Sequence, residues 1–276
     1  MIDVLRRLAR TPQGKAAILL ILLIAIVCVF GPALAPRDPD SINFLGRFRP
    51  PGPAYLLGGD QLGRDVLSRL LVGARSTVPA ALGATLLGTL IGAIVGTISA
   101  YFGGWWDEAI MRTIDAIMAV PALLLVLLVV ATLGQGEVDA MLSIAIAFAP
   151  GMARITRSVA LTARRQDYVN AAIARGEGWP WIVFREMLPN VAAPVVIETT
   201  IRVAFAVMLF ATLSFLGLGS QPPASDWGLM VAEAQPYLFE APWMTIAPAT
   251  AIAITAIAFN LLGDGLRDAM NPRDER

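Results

Sequence analysis

The sequence predicts an all-α, polytopic membrane protein with about six transmembrane helices. Three observations carry that prediction. Of 276 residues, 57% are hydrophobic and only 15% charged, and the mean hydropathy of +0.67 is too high for an ordinary soluble domain of this size. Several uncharged runs are long enough to cross a bilayer. The basic residues gather on alternate flanks of those runs.

A spanning helix needs roughly 20 apolar residues, each rising about 1.5 Å through a core near 30 Å thick. Residues 16–35, 76–106 and 116–136 meet that requirement without a single charge. Residues 140–153 are too few alone, and reach across only if the helix continues past Arg154 and Arg157 with both side chains snorkelling to the interface. Residues 191–217 form a fifth span that includes Glu198 and Arg202, and 241–263 an uncharged sixth. Within the second, Gly88, Gly92 and Gly96 recur every four residues. That spacing either lets a neighbouring helix approach closely or reflects the general abundance of glycine in membrane helices.

Ahead of the second span, Val66, Leu67, Leu70, Leu71 and Ala74 fall on one helical face and Arg64, Asp65, Ser68 and Arg69 on the other. The pattern predicts an amphipathic helix lying in the membrane interface. Pro36, Pro39, Pro50, Pro51 and Pro53 predict an extended connection before it. Residues 1–35 read as an uncleaved anchor, because their apolar stretch exceeds the roughly 7–15 residues of a signal peptide. The chain thus divides into an N-terminal part (1–75), a transmembrane core (76–266) containing a cytoplasmic loop (164–190), and a tail (267–276).

Arg6, Arg7, Arg10 and Lys15 before the first span predict a cytoplasmic N-terminus. Six crossings then place Arg112, the group Arg154, Arg157, Arg164, Arg165, Arg175 and Arg185, and the tail bases Arg267, Arg273 and Arg276 on the same side. The opposite loops at 137–139 and 220–240 hold no Lys or Arg. The outer segment 36–75 is the exception, with Arg37, Arg47, Arg49, Arg64, Arg69 and Arg75.

Composition removes several function classes. With no His there is no imidazole catalysis or His metal site. Cys28, the single cysteine, reads as a small buried hydrophobe. Acidic and basic residues balance at 21 each, giving no field to attract nucleic acid. Gly14-Lys15 lacks the upstream Gly of a phosphate-binding loop. No metal or cofactor is expected. Asp115 and Asp264 could be put forward as an intramembrane aspartate enzyme, without other support.

The loop 164–190 is the most informative. Asp167 can start a helix whose Ala171 and Ala172 expose a flat surface, and Gly176 and Gly178 can end it. Pro180 suits the first turn of a second helix, with Trp181, Phe184 and Leu188 on one side and Pro189 closing it. Two short helices joined by a glycine bend make a knob that a cytosolic protein could grip. Glu198 and Arg202, four apart, read first as a structural ion pair, with a role in a transport pathway as the alternative. Asp115, beside Arg112, reads as an anchor.

The order Asn170-Ala171-Ala172, Gly176, Leu188-Pro189 resembles the EAA loop of ATP-binding-cassette importer permeases: Glu-Ala-Ala, three residues, Gly, nine residues, Ile, one residue, Leu-Pro. Asn170 replaces the Glu and Glu186 the Ile. LGGDQLGRDVLSR (57–69), SFLGLG (214–219) with Gln221-Pro222-Pro223 and Trp227-Gly228, and Gly263-Asp264-Gly265-Leu266-Arg267-Asp268 look like the second permease subunit of the dipeptide and oligopeptide branch. The resemblance covers nearly the whole chain. It implies the type I importer permease fold and a multi-pass place in the bacterial cytoplasmic membrane. It further implies import of short peptides, or of nickel chelates or another small solute. The partners it implies are a sister permease, two cytosolic ATPase subunits gripping the knob, and an extracytoplasmic binding protein. ATP would be hydrolysed by those partners.

Overall fold

In the computed structural model, which describes residues 7–270, nine α-helices pack around a central apolar cluster and smaller ones beside it. Helix α1 (Pro12–Leu34) starts where the Thr11 hydroxyl accepts from Gly14 N and Pro12 takes the first turn. Helix α2 (Val66–Phe102) is capped by Asp65 and stops at Gly103, whose φ of 64° suits glycine. Helices α3 (Gly104–Met118) and α4 (Ala122–Leu133) meet at a 92° bend. Pro121 lies at that break, lacking an N–H and pushing the residue before it out of helical geometry. Helix α5 (Glu137–Ala163) follows, then the short α6 (Asp167–Ala174). Helix α7 (Trp179–Phe215) runs unbroken for 37 residues. Helices α8 (Trp227–Ala234) and α9 (Trp243–Met270) complete the chain.

Five helices, α1, α2, α5, α7 and α9, are long and apolar enough to cross a membrane, and the bent pair α3–α4 makes six if it counts as one span. Val126, Val130, Ile144, Phe148, Val207, Phe210, Leu213 and Phe259, from α4, α5, α7 and α9, meet at the centre. The glycine spacing on α2 is a packing face. A Cβ on Gly88 would fall 2.7 Å from Ala145 O, and one on Gly92 2.5 Å from Met152 Cβ and 2.6 Å from Ala149 O. Backbone against backbone at this distance admits only hydrogen at those positions.

Several expectations are corrected. The amphipathic stretch 64–74 does not form a separate interfacial helix; it is the first turns of α2, so the boundary expected at 75 falls inside a helix. Its polar face is not solvated, for Arg64, Asp65, Ser68 and Arg69 are at most 5% exposed. Arg64 Nε donates to Asp60 Oδ2 (2.6 Å), Arg64 Nη2 to Glu233 Oε2 (2.8 Å), and Arg69 Nη1 to both acids (2.9 and 2.7 Å). Charge neutralised by hydrogen-bonded acids can be buried where lone charge cannot. This cluster accounts for two arginines of the exceptional outer segment. Helix α5 does continue past Arg154 and Arg157, as expected, and there Arg154 pairs with Asp115 and Arg157 with Asp107, both acids on α3. Asp115 therefore leans on α5 rather than on Arg112, which pairs with Glu108 (2.6 Å). Helix α9 continues through 267–270, beyond the expected core boundary. Arg6, Arg273 and Arg276 lie outside the described residues.

Helix α8 packs against α7, α9 and the start of α2, at the end far from α6. Asp226 caps it, accepting from Leu229 N (3.0 Å) and from Thr77 Oγ1 (2.6 Å), while Trp227 Nε1 donates to Leu70 O (2.9 Å). Glu233, near its other end, enters the arginine cluster. Both ends of α8 are thereby tied to α2.

Candidate coupling site

The knob is built differently from its sequence expectation. Helix α6 buries Val169 and Ala172 completely, against Ala100 at the end of α2, Ala160 and Ala163 at the end of α5, and Ile182, Met187 and Val191 of α7. Ala172 is therefore a packing residue, and of the expected small-residue surface only Ala171 is exposed, beside exposed Asn170 and Ile173. Gly176 turns the chain at φ 77°, its N–H donating to Ile173 O (2.9 Å) and that of Glu177 to Ala172 O (3.2 Å).

The second correction concerns Pro189. It closes nothing, because residues 179–187 are the first turns of α7 itself. Ile182–Met187 widens into a π-helix directly before Leu188 and Pro189. Pro189 has no N–H for the carbonyl four residues back and its ring crowds that carbonyl, and a locally wider helix relieves the crowding. The Asn190 side chain supports this stretch by donating to Glu186 O (2.6 Å). Leu188 is half-buried and Pro189 exposed.

Trp179, Trp181 and Phe184 stand 42–45% exposed on the outer side of the knob, and Arg185 stacks 4.5 Å above the Trp181 ring. Glu186 reaches back to Arg175 Nη2 at 3.5 Å, joining the start of α7 to the end of α6. Arg164 Nε donates to Tyr101 O (3.3 Å), tying the knob to α2. A displacement of the knob must therefore move α7, since the two share one helix.

Further into the bundle, Arg202 Nε lies 3.1 Å from Glu198 Oε1, both side chains partly exposed. The guanidinium rests on α5, its carbon 5.6 Å from the Phe148 ring centre, and a Cβ on Gly151 would lie 2.8 Å from Nη2. The structure thus brings Glu198 and Arg202 together. It does not join Asp115 to Asp264: Asp115 is held by Arg154, and Asp264 is exposed on α9. Sequence reasoning missed the Asp60–Arg64–Arg69–Glu233 cluster. The one legible signal was complementary charge, since the loop 220–240 holds Asp226, Glu233 and Glu240 without a base.

Among the described residues, a helical bundle with five or six helices long and apolar enough to span, one of them continuous with the knob, defines a multi-pass membrane protein. The chain belongs to the family of binding-protein-dependent transport system inner membrane components, which it matches over residues 88–275. Residues 1–51 also match the N-terminal transmembrane domain of oligopeptide transport permease C. It is 38% identical over 270 residues to the dipeptide transport system permease protein of Haemophilus influenzae, covering 95% of this chain and 92% of that one. It is 38% identical over 269 residues to the glutathione transport system permease protein of Escherichia coli, covering 97% of this chain and 89% of the relative. Among solved structures, the methionine ABC transporter MetNI in inward-facing conformations shares the fold, with a TM-score of 0.59 at 18% identity, over 74% of this chain and 97% of that one. The kinship expected from residues 57–69, 170–189 and 214–228 is thereby established.

Proposed function

We propose that this chain is the membrane-spanning permease subunit of an ATP-binding-cassette importer that carries short peptides across the cytoplasmic membrane. Its partners in this reading are a sister permease, two cytosolic ATPase subunits that grip the knob at Asn170, Ala171, Gly176, Leu188 and Pro189, and an extracytoplasmic binding protein. Ala172 contributes from beneath, seating α6 on the bundle. The substrate class follows the relatives, which transport a dipeptide and glutathione by name.

The observation that carries the coupling role is the continuity of α7. ATP-driven closure of the ATPase pair would move α6 and the 179–187 turns together. Because those turns pass into the spanning part of α7 without a break, the movement reaches Val207, Phe210 and Leu213 at the core of the bundle. Packed helices shift between discrete arrangements rather than deforming continuously, which suits alternating exposure to the two sides.

Gly176→Val tests this. A Cβ at Gly176 meets nothing within 4 Å, so the effect comes from φ at +77° and not from a clash. A β-branched residue there carries roughly 1–3 kcal/mol of backbone strain and will rearrange the turn. Insertion and extracted yield should stay at the parental level, while peptide uptake by the assembled complex falls about tenfold or more. Gly178→Ala, at φ −69°, is the matched control and should transport normally. Parental uptake by the Gly176→Val complex would refute coupling through this turn.

A further inference from the structure

Two charged pairs toward the knob end of the bundle, Glu198 with Arg202 and Arg154 with Asp115, are left partly exposed. Counting at about 1.5 Å per residue from the ends remote from the knob, Arg202 lies about 20 Å along α7 and Gly151, its contact on α5, about 21 Å along α5. Glu198 and Arg154 both lie about 26 Å in. A hydrocarbon core of about 30 Å that begins at those helix ends takes in all of these depths, with Glu198 and Arg154 near its knob-side limit. The side chains are 26% (Glu198), 19% (Arg202), 50% (Arg154) and 58% (Asp115) exposed.

Lipid is a poor neighbour for this group, since exposed intramembrane charges are costly and face a protein partner or a water-filled cavity. The arrangement also differs from a structural ion cluster of the kind formed by Asp60, Arg64, Arg69 and Glu233. There, Asp60 Oδ2 and Glu233 Oε2 each accept hydrogen bonds from both arginines, and the arginines are almost wholly enclosed. Glu198, Arg202, Arg154 and Asp115, by contrast, pair only two by two, Arg202 Nε with Glu198 Oε1 at 3.1 Å and Arg154 with Asp115, and none of the four is enclosed.

Resting on the importer function proposed above, we propose that Glu198, Arg202, Arg154 and Asp115 line the inner part of the peptide passage and engage the charged termini of the peptide in transit. A short peptide at neutral pH carries an ammonium at one end and a carboxylate at the other. Two guanidinium groups complement the carboxylate and two carboxylates the ammonium. Contacts to the termini leave the peptide side chains unread, which suits passage of many sequences through one route. The net charge of the four groups is zero, so neither end of the peptide is held by a large uncompensated field.

The test is uptake of a radiolabelled dipeptide by the complete complex in proteoliposomes, with ATP hydrolysis stimulated by the binding protein measured in parallel. The informative variant reverses the pair, Glu198→Arg with Arg202→Glu, preserving the pairing while inverting its polarity. It should keep extracted yield and stimulated hydrolysis, while uptake falls at least tenfold. Arg154→Gln, half exposed and tolerant of replacement, should also lower uptake severalfold without loss of yield, and it decides the matter should the reversed pair fold poorly. Parental uptake by both variants would overturn the inference. So would a pattern in which Glu198→Gln and Arg202→Gln each lose yield and their combination restores yield and uptake together, as a purely structural pair requires. A parental complex that moves some other solute and no dipeptide would instead count against the importer reading itself.

Discussion

Asp60→Ala is expected to leave little folded, detergent-extractable protein. Asp60 is 2% exposed and carries the arginine cluster almost alone on one side: its Oδ2 accepts from Arg64 Nε and Arg69 Nη1, and its Oδ1 from the backbone N–H groups of Leu62 and Arg64. Removing it leaves two arginines, at 5% and 2% exposure, with the single carboxylate of Glu233. Breaking a buried ion pair by removing one partner costs about 3–5 kcal/mol, a large part of the roughly 5–15 kcal/mol that holds a typical fold together. Asp60→Asn should be milder, since the amide oxygen can still accept the two backbone bonds while the charge is lost. Asp40→Ala, on an exposed position of the same segment, should change stability by no more than about 0.5 kcal/mol. Extracted yield and thermal unfolding of the three proteins, side by side, make the comparison. An Asp60→Ala protein that unfolds with the parental one would mean the cluster adds nothing to the fold.

Gly92→Leu should prevent α2 and α5 from packing while leaving each helix able to insert. A Cβ at Gly92 already falls 2.5 Å from Met152 Cβ and 2.6 Å from Ala149 O, and the second of these is backbone. A side chain can swing away, whereas a helix carbonyl moves only with its helix. Leucine must therefore separate the two helices, at a cost of about 3 kcal/mol or more. The hydropathy of the span is raised, so membrane insertion is untouched. The expected result is normal amounts of membrane-integrated chain that is degraded quickly and extracts without its partners. Leu90→Ala, at a position 56% exposed on the same helix, is the control and should assemble. Parental assembly of the Gly92→Leu protein would show that this face is not a tight contact.

Much of this protein was written locally. Apolar runs near residues 16–35, 76–106, 140–153, 191–217 and 241–263 each lie in a helix long and apolar enough to span, because in hydrocarbon a backbone must satisfy its own hydrogen bonds and a helix does so within the segment. Gly176 and the proline at 180 placed the turn between α6 and α7 for equally local reasons, a left-handed φ and a proline tolerated in a first helical turn. Those signals need no knowledge of the rest of the chain.

The polar face of residues 64–69 was a different kind of problem. Periodicity shows that one side of a helix is polar, but not whether water or another part of the protein meets it. Here the answer is Glu233, 169 residues from Arg64 and 164 from Arg69 in sequence, so the same pattern that reads as an interfacial helix became the buried start of a span. Ala172 misled for the same reason, since a small residue serves an exposed face and a crowded one equally well, and only the ends of α2 and α5 decided between them. Pro189 was read as a stop because proline disrupts the helix behind it. The tertiary structure overrode that local cost with a π-helical turn, keeping the knob and the core of the bundle on one helix.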